Sequence, residues 1–354
     1  MKNSHVSRIW AAAVLALSLP AGADEAQDYY DSHTHLTNYV QEGITARQYL
    51  AAVGDRVGRS ALFGIPLQMH WSDRVTGKVA PTYYLDSDTA LYYYSFTDAY
   101  IAEQYRKLSP AQQARFEPMI TGFNPADMYA ADHIRRVLQT YPGVFTGIGE
   151  FSIHKEFVSA KVSGDVASLI DPAVDRIFDF TAESGLLSIL HSDIHMPFVK
   201  PEFRRLYFDQ AVALFRRHPN STIIWAHTGL GRVVQPVSDH LAMLEEILSD
   251  PGLKHVYFDI SWDEVAKYVV ATPDATRQTT ALIEKYPDRF LFGSDNVALT
   301  EPQALFAVFN QYEPLWDALS PEASEAVRKG NFARLFDAAK VKVRSWEKTH
   351  PAPL

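Results

Sequence analysis

Residues 172–191, PAVDRIFDFTAESGLLSILH, contain one complete structural unit of the fold. Residues 172–184 repeat apolar side chains with the period of an amphipathic helix. Pro172 is typical of a first helical turn, and Gly185 is typical of a helix end. Residues 186–191 then form a short apolar run that ends in a histidine, as expected for a buried strand. This stretch predicts a helix that leads into a strand with a polar residue at its carboxyl end.

The same alternation continues along the chain in both directions. Strand-like apolar runs occur at residues 29–31, 60–66, 116–123, 144–151, 186–191, 222–227, 256–260 and 290–295. Helical segments are predicted between several of them, at residues 125–140, 172–184, 201–217, 239–248 and 276–286. Eight such units predict a (β/α)8 TIM barrel, an α/β fold. A doubly wound open sheet is the alternative, but no G-x-G-x-x-G motif follows the first strand.

Two segments lie outside this regular pattern. Residues 67–115 make a long, tyrosine-rich insertion after strand 2, which would cover the catalytic face, pack on the outside of the barrel or form an oligomer contact. Residues 340–354 are polar and are predicted to be a loosely held C-terminal tail. The barrel domain is therefore expected to span residues 24–339.

The N-terminus has the pattern of a signal peptide. Lys2 and Arg8 precede an apolar stretch at residues 9–19, and an Ala-Gly-Ala cleavage pattern follows at residues 21–23. We predict a signal peptide over residues 1–23 and a periplasmic or secreted mature chain. No later segment has 18 uninterrupted apolar residues, so no membrane anchor is expected.

Cysteine content and charge exclude several classes of protein. The chain has no cysteine, which excludes a lipoprotein anchor, a thiol nucleophile and a cysteine-bound metal. The net charge is −9 and becomes more negative without the two basic residues of the signal peptide. An acidic chain without a basic stripe is not expected to bind nucleic acid non-specifically. A small-molecule substrate is expected instead, and a homo-oligomer is left open.

Polar side chains stand at the ends of five predicted strands. His33 and His35 are two residues apart, so they would point in the same direction. In a closed barrel, the carboxyl ends of all strands share one rim, which holds the active site. The six candidate ligands at this rim are His33, His35, Glu150, His191, His227 and Asp295. Buried imidazoles and carboxylates are costly unless they are paired or coordinated. We therefore predict a divalent metal centre, with Zn first and Mn, Fe or Ni as alternatives.

The order of these motifs resembles the amidohydrolase superfamily. The matching motifs are Asp31-x-His33-x-His35, Gly149-Glu150, His191, His227-Thr-Gly and Gly293-Ser294-Asp295. Residues 330–336, GNFARLF, resemble the closing helix of the amidohydrolase-related branch of that superfamily. The resemblance covers residues 29–336 and implies the same barrel fold.

The resemblance also implies a role for each residue. His33 and His35 would hold a first metal, with Asp295 nearby. His191 and His227 would hold a second metal, or one of them would polarise the substrate. Glu150 stands where many members carry a carboxylate that bridges two metals, which favours two ions. A metal would activate water, Asp295 would accept its proton, and His227 or His191 would help to stabilise the oxyanion.

Four further residues follow strands at the same rim and are candidates for substrate binding: His70, Lys155, Arg232 and Trp262. Lys155 and Arg232 would bind a carboxylate or phosphate, unless they are ordinary solvated charges. The predicted function is an exported metal-dependent hydrolase that cleaves an amide, ester, lactone or related bond. The alternatives are a metal-dependent non-oxidative decarboxylase of an aromatic acid and a non-catalytic metal- or ligand-binding barrel.

Overall fold

A computed structural model describes residues 28–65, 78, 89–91, 94–155 and 167–352. The predicted signal peptide, His70 and most of the predicted insertion lie outside these residues. No helix in the described part of the chain is both long enough and apolar enough to cross a membrane.

The strands are short and parallel. Their bounds are β1 (Tyr29–Asp31), β2 (Thr34–His35), β3 (Val57–Leu62), β4 (Phe116–Ile120), β5 (Gly147–Ser152), β6 (Leu187–His191), β7 (Thr222–Trp225), β8 (Val256–Asp259), β9 (Phe290–Leu291) and β10 (Asn296–Val297). Eight of them form one sheet in the order β1-β3-β4-β5-β6-β7-β8-β9, and β10 pairs with β2.

Helices separate most of these strands. Their bounds are α1 (Ala46–Val53), α2 (Thr97–Arg106), α3 (Pro110–Gln113), α4 (Ala130–Thr140), α5 (Pro172–Ser184), α6 (Leu206–Arg217), α7 (His240–Ser249), α8 (Asp263–Val269), α9 (Pro273–Lys285), α10 (Ala307–Gln311), α11 (Glu313–Ala318), α12 (Pro321–Glu325) and α13 (Asn331–Thr349). Helices α2 and α3 lie between β3 and β4, so part of the predicted insertion is the regular helical connection of the barrel.

Backbone hydrogen bonds close the sheet into a ring. The amide of Ser32 donates to the carbonyl of Phe292 over 3.0 Å, which joins the first strand to the last. Beyond this bond, β2 and β10 pair in parallel, with Thr34 opposite Asn296 and His35 opposite Val297. The predicted (β/α)8 barrel is therefore confirmed, and its closure brings the two ends of the chain's strand series together.

Strand residues alternate between two hydrophobic clusters. In β7, Ile223 and Trp225 belong to a large cluster that also contains residues of the surrounding helices. Ile224, between them, belongs to a smaller cluster inside the barrel. We call these the outer and inner clusters. The alternation follows from the period of two along a strand, and it decides which side chains face the barrel interior.

The longest helix, α13, closes the end of the barrel at which the strands begin. Phe332 and Phe336 belong to the inner cluster, and their rings stack with centroids 4.1 Å apart. Residues 340–349, which we predicted to be part of a loosely held tail, instead continue this helix. That prediction is wrong because Val343 and Trp346 are buried against the barrel. A polar average composition concealed one apolar stripe at helical spacing.

Helix α5 shows how local sequence fixes the element bounds. The side chain of Asp171 accepts a hydrogen bond from the amide of Ala173, Pro172 occupies the first turn, and Gly185 ends the helix at a φ of 80°. The predicted bounds 172–184 are therefore confirmed. Other bounds shift by a few residues. The strand predicted to begin at residue 60 is β3, which begins at Val57. The helix predicted to begin at residue 201 is α6, which begins at Leu206, after a 3-10 turn at Pro201–Phe203.

Candidate metal centre

All six predicted metal ligands lie together at the carboxyl end of the barrel. They come from the ends of β1, β2, β5, β6, β7 and β9, and each is buried. Three overlapping groups have donor atoms close enough to share an ion: His33–His35–Glu150, His33–His227–Asp295 and Glu150–His191–His227. Barrel closure therefore produces one compact polar cluster from strands that are far apart in the sequence.

Asp295 faces the two histidines of the first motif. Its Oδ1 lies 3.1 Å from His35 Nε2 and 3.4 Å from His33 Nε2. Ligands of one zinc ion, at about 2.0–2.2 Å from the metal, are separated from each other by about 3.3 Å in a tetrahedral site. The distances from Asp295 Oδ1 to His33 and His35 are thus those expected of ligands that share a cation.

Glu150 links this group to the other two histidines. Its Oε1 lies 3.3 Å from His227 Nε2, and the same oxygen forms a short hydrogen bond with His191 Nδ1. Its Oε2 lies 3.7 Å from His35 Nε2 and 3.3 Å from the ammonium of Lys155. Glu150 is therefore the central carboxylate of the cluster, but a lysine neutralises part of its charge.

An irregularity in β5 turns Glu150 towards the barrel interior. Ile148 and Phe151 both belong to the outer cluster although they are three residues apart, and the register with β6 shifts between them. In a regular strand Glu150 would share the outer face with Ile148. Gly149 has a φ of +136°, and a Cβ there would lie 2.7 Å from the Cβ of Ile189. Only glycine fits this turn of the backbone.

Sequence reasoning missed Asp259, which is fully buried behind the histidines. Its Oδ2 accepts from His33 Nδ1 over 2.9 Å, and its Oδ1 accepts from the backbone amide of His227 over 2.9 Å. A signal was present: Tyr257 packs on the inner cluster while Phe258 belongs to the outer one. The period of two therefore places Asp259 on the inner face, beside the ligands.

The carboxylates of the cluster are held in their ionised form. Burial opposes the ionisation of Asp295, but the neighbouring histidines, above all His33, hold its pKa below the usual range. Burial likewise opposes the charge on Glu150, and Lys155 and His191 hold its pKa well below the usual range. Both groups are therefore anionic acceptors at neutral pH, as metal binding requires.

The histidines respond to these charges in different ways. Burial by itself would lower the pKa of His33, but the carboxylates of Asp259, Asp295 and Glu150 outweigh burial and raise the pKa to about 9. Burial dominates at His227 and lowers its pKa. A cation that binds here takes the place of a proton on His33 and finds His227 already neutral.

Three buried atoms of the cluster that could bind a metal form no hydrogen bond within the described part of the chain: His33 Nε2, His191 Nε2 and Asp295 Oδ1. Each lies 3.1–3.4 Å from a histidine or carboxylate atom of a neighbouring residue. Burying such atoms without a hydrogen bond costs free energy, and a cation or water that binds to them removes the cost. Because two imidazoles and a carboxylate are involved and no thiolate, the donor set fits a divalent transition metal.

The predicted substrate-binding residues lie around this cluster to different extents. The ring of Trp262 is 5.1 Å from the ring of His227, and Lys155 Nζ is 5.8 Å from the Trp262 ring. The guanidinium of Arg232 lies 5.4 Å from the same ring, and its Nε is 3.4 Å from Glu264. The Trp262 ring thus lies close to His227 and within 6 Å of both cations. His70 lies outside the described residues.

Solved structures with the same barrel include an amidohydrolase from Burkholderia multivorans with bound zinc. It shares 14% sequence identity over 87% of this chain and 99% of that chain, with a TM-score of 0.52. A TIM-barrel protein from Bordetella bronchiseptica shares 13% identity over 83% of this chain and 82% of that chain, with a TM-score of 0.51. These likenesses show a common fold.

A third structure comes from Pseudomonas putida and is provisionally assigned as a 2-pyrone-4,6-dicarboxylic acid hydrolase; it shares 15% identity over 88% of this chain and 98% of that chain, with a TM-score of 0.51. None of the curated proteins matches the sequence significantly. The model of the family described as amidohydrolase matches residues 30–338, which is nearly all of the barrel and its closing helix. The chain therefore belongs to the amidohydrolase family.

Proposed function

We propose that the protein is an exported metal-dependent hydrolase that cleaves an amide, ester, lactone or related bond of a small molecule. The observation that carries this proposal is the buried convergence of ionised carboxylates and imidazoles, three atoms of which form no hydrogen bond among the described residues. The family match supports an enzyme, and a barrel mouth lined by these groups suits a small substrate.

In this proposal His33, His35 and Asp295 hold the first ion, since Asp295 Oδ1 lies 3.1 Å from His35 Nε2 and 3.4 Å from His33 Nε2. Glu150, His191 and His227 form the candidate set for a second ion. A divalent cation bound here would supply Lewis acidity and make water nucleophilic at neutral pH. Zinc is the first ion to test, because one structural neighbour carries it.

The carboxylate of Asp295 would act as the general base. Asp295 directs Oδ1 towards His33 and His35, whereas its Oδ2 lies 3.9 Å from His227 Nε2. Oδ2 is therefore the atom that would accept a proton from the attacking water and return it to the leaving group. The ring of Trp262 lies beside His227, with ring centroids 5.1 Å apart, and would form one side of the substrate site.

The test combines metal reconstitution with a substrate panel. Apo-protein is loaded with Zn, Mn, Fe or Ni and assayed against esters, lactones and amides, beside the Asp295→Asn variant. We expect activity that depends on added metal and falls in the variant by a factor of about 100 or more, as for loss of a general base. Activity that persists in excess chelator would refute the metal-dependent mechanism.

We also propose that residues 1–23 direct export, since they combine a basic start, an apolar stretch and a small-residue cleavage pattern. Expression in a bacterial host followed by fractionation and N-terminal sequencing tests this. The expected result is a periplasmic or secreted chain that begins near Asp24. A full-length chain that stays in the cytoplasm would contradict export without affecting the proposed chemistry.

A second candidate is a non-oxidative decarboxylase of an aromatic acid. The observation that favours it is that the cations of Lys155 and Arg232 both lie within 6 Å of the Trp262 ring, a suitable environment for an aromatic carboxylate. Measuring CO2 release from aromatic acids, beside the hydrolysis panel, separates the two activities. CO2 release without hydrolysis would replace the first proposal with this one.

A further inference from the structure

Asp259 sits at the end of β8, is fully buried, and is surrounded by hydrogen-bond donors rather than by solvent. Its two oxygens face groups from three different strand ends: His33, His227 and Ser261. We propose that Asp259 is a positioning residue that sets the tautomers of His33 and His227, so that both direct a bare Nε2 towards the metal centre. The inference rests on the proposed metal-dependent function.

The route to His33 is direct. Asp259 Oδ2 lies 2.9 Å from His33 Nδ1, and a carboxylate can only accept a hydrogen bond. Nδ1 therefore carries the proton, which leaves the lone pair on Nε2 in the neutral ring. That Nε2 faces Asp295 Oδ1 at 3.4 Å and has no hydrogen-bond partner among the described residues.

Asp259 acts on the side chain of His227 through the hydroxyl group of Ser261. Ser261 Oγ donates to Asp259 Oδ1 over 2.5 Å and lies 2.9 Å from His227 Nδ1. A hydroxyl has one proton, so Ser261 must accept from His227 once it donates to the carboxylate. Nδ1 of His227 is then the protonated nitrogen, and Nε2 presents its lone pair beside Glu150 Oε1, 3.3 Å away.

The same carboxylate also fixes the backbone that carries His227. Asp259 Oδ1 accepts from the amides of His227 and Ser261, at 2.9 Å and 3.1 Å. His227 and the next residue, Thr228, both have positive φ values, 57° and 52°, which are uncommon for residues other than glycine. The hydrogen bonds from these amides to the buried carboxylate of Asp259 offset the unfavourable conformation and hold the imidazole of His227 at the candidate metal centre.

His35 provides an internal comparison because Asp259 does not touch it. Its Nδ1 faces the carbonyl of Gly64 at 3.1 Å, and a carbonyl is also an acceptor only. His35 thus reaches the same tautomer by an independent route. Loss of Asp259 should therefore disturb two of these three histidines and spare the third.

The test uses zinc-loaded protein and two readouts that do not depend on turnover. The first is zinc affinity, measured by competition with a chelator. The second is proton NMR of the Nδ1–H groups of His33, His35 and His227, which are buried, hydrogen-bonded and expected to exchange slowly. The variants are Asp259→Asn and Ser261→Ala. Their controls are Asp98→Asn, another buried carboxylate that binds backbone amides, and Ser188→Ala, another buried serine.

We expect Asp259→Asn to weaken zinc binding by about 10–100-fold, the usual effect of losing a group that orients metal ligands. It should also remove the slow signals of His33 and His227 and keep that of His35. Ser261→Ala should remove only the His227 signal and weaken binding less. The double variant Asp259→Asn/Ser261→Ala should show the same His227 signal as Asp259→Asn alone, because both substitutions break the same hydrogen-bonded chain from Asp259 through Ser261 to His227. Both controls should keep wild-type affinity and all three signals.

Unchanged affinity and unchanged signals in Asp259→Asn would overturn the proposal. If that variant does not fold, Ser261→Ala decides: retention of a slow His227 Nδ1–H signal would overturn the relay. Wild-type protein that binds zinc fully but turns over no substrate contradicts only the proposed hydrolase. Wild-type protein that binds no zinc contradicts both proposals.

Discussion

The hydroxyl of Ser294 donates a hydrogen bond to the carboxylate of Asp31 over 2.6 Å, although 263 residues separate the two in the sequence. The amide of Ser294 also donates to Asp31, at 2.8 Å, and Thr34 donates from the other side at the same distance. Asp31 is fully buried. The carboxyl group of Asp31 thus links the two strand ends at which the barrel closes.

Replacing the hydroxyl of Ser294 should lower the stability of the barrel. We expect Ser294→Ala to lower the free energy of unfolding by about 1–2 kcal/mol, because the buried carboxyl group of Asp31 loses a hydrogen-bond donor. Denaturant unfolding measures the change. Ser188→Ala removes a buried hydroxyl without a partner among the described residues, and should cause no such loss. Equal stability of the two variants would show that the Ser294 bond contributes little.

Removing one ligand should abolish tight metal binding while the barrel stays folded. His35→Asn deletes an imidazole whose Nε2 lies 3.1 Å from Asp295. We expect zinc affinity to fall by more than the roughly 10–100-fold typical of residues that only orient ligands. Metal content after dialysis measures this. The control is His133→Asn, a partly exposed histidine 3.9 Å from Asp98, which should retain wild-type metal content.

Lys155 should determine how many ions the centre holds. Burial works against its charge, but Glu150 outweighs burial and raises the pKa of Lys155, so the ammonium is permanent. Its positive charge, 3.3 Å from Glu150, repels a second cation at Glu150, His191 and His227.

We therefore expect one tightly bound zinc per wild-type chain and a second equivalent that binds at least ~10-fold more tightly in Lys155→Met, corresponding to about 1.4 kcal/mol. Calorimetric titration of apo-protein checks the stoichiometry. Lys267→Met, at an exposed lysine paired with Glu264, serves as the control and should behave as wild type. Two tight equivalents in the wild-type protein would contradict this expectation.

A buried histidine outside the metal centre should make the protein sensitive to acid. Burial, reinforced by the nearby charge of His195 and opposed by Asp239, lowers the pKa of His240 to about 4. In the unfolded chain it titrates near 6.5, so the unfolded state binds the extra proton between pH 6.5 and 4. The free energy of unfolding should therefore fall as the pH drops through this range, by up to about 3 kcal/mol.

The measurement is Tm against pH for the wild type and His240→Phe. Neither ring nitrogen of His240 has a hydrogen-bond partner among the described residues, so an apolar ring should fit without an unpaired group. We expect the variant to lose less stability than the wild type between pH 6.5 and 4. His350→Gln, at an exposed position, should follow the wild-type curve. Parallel curves for wild type and His240→Phe would rule out this histidine as the cause.

The sequence was sufficient for the barrel and for the gathering of the six ligands, because both follow from periodicity and from polar residues at strand ends. Asp259 could also have been found, since it shares the inner face with Tyr257. Glu150 is different: regular alternation would turn it away from the centre, and the irregularity between Ile148 and Phe151 reverses that. Its inward direction depends on the conformation of Gly149, which alternation alone does not determine.

Lys155 and the C-terminal helix show two further limits. The contact between Lys155 and Glu150 depends on how the backbone after β5 folds back, which residue types do not encode. The burial of Val343 and Trp346 depends on a surface that exists only after the barrel has closed. Local composition therefore predicted a loose tail where long-range packing stabilises a helix.

Helix α13 affects where a substrate can enter the barrel and where a product can leave it. Phe332 and Phe336 fill the barrel from the side opposite the ligands, and both are almost completely buried. In the part of the chain that the structure describes, this end of the barrel is filled, so we expect the substrate to enter and the product to leave at the opposite end, beside the candidate ligands. If both use that opening, a product analogue should compete directly with the substrate for the free protein.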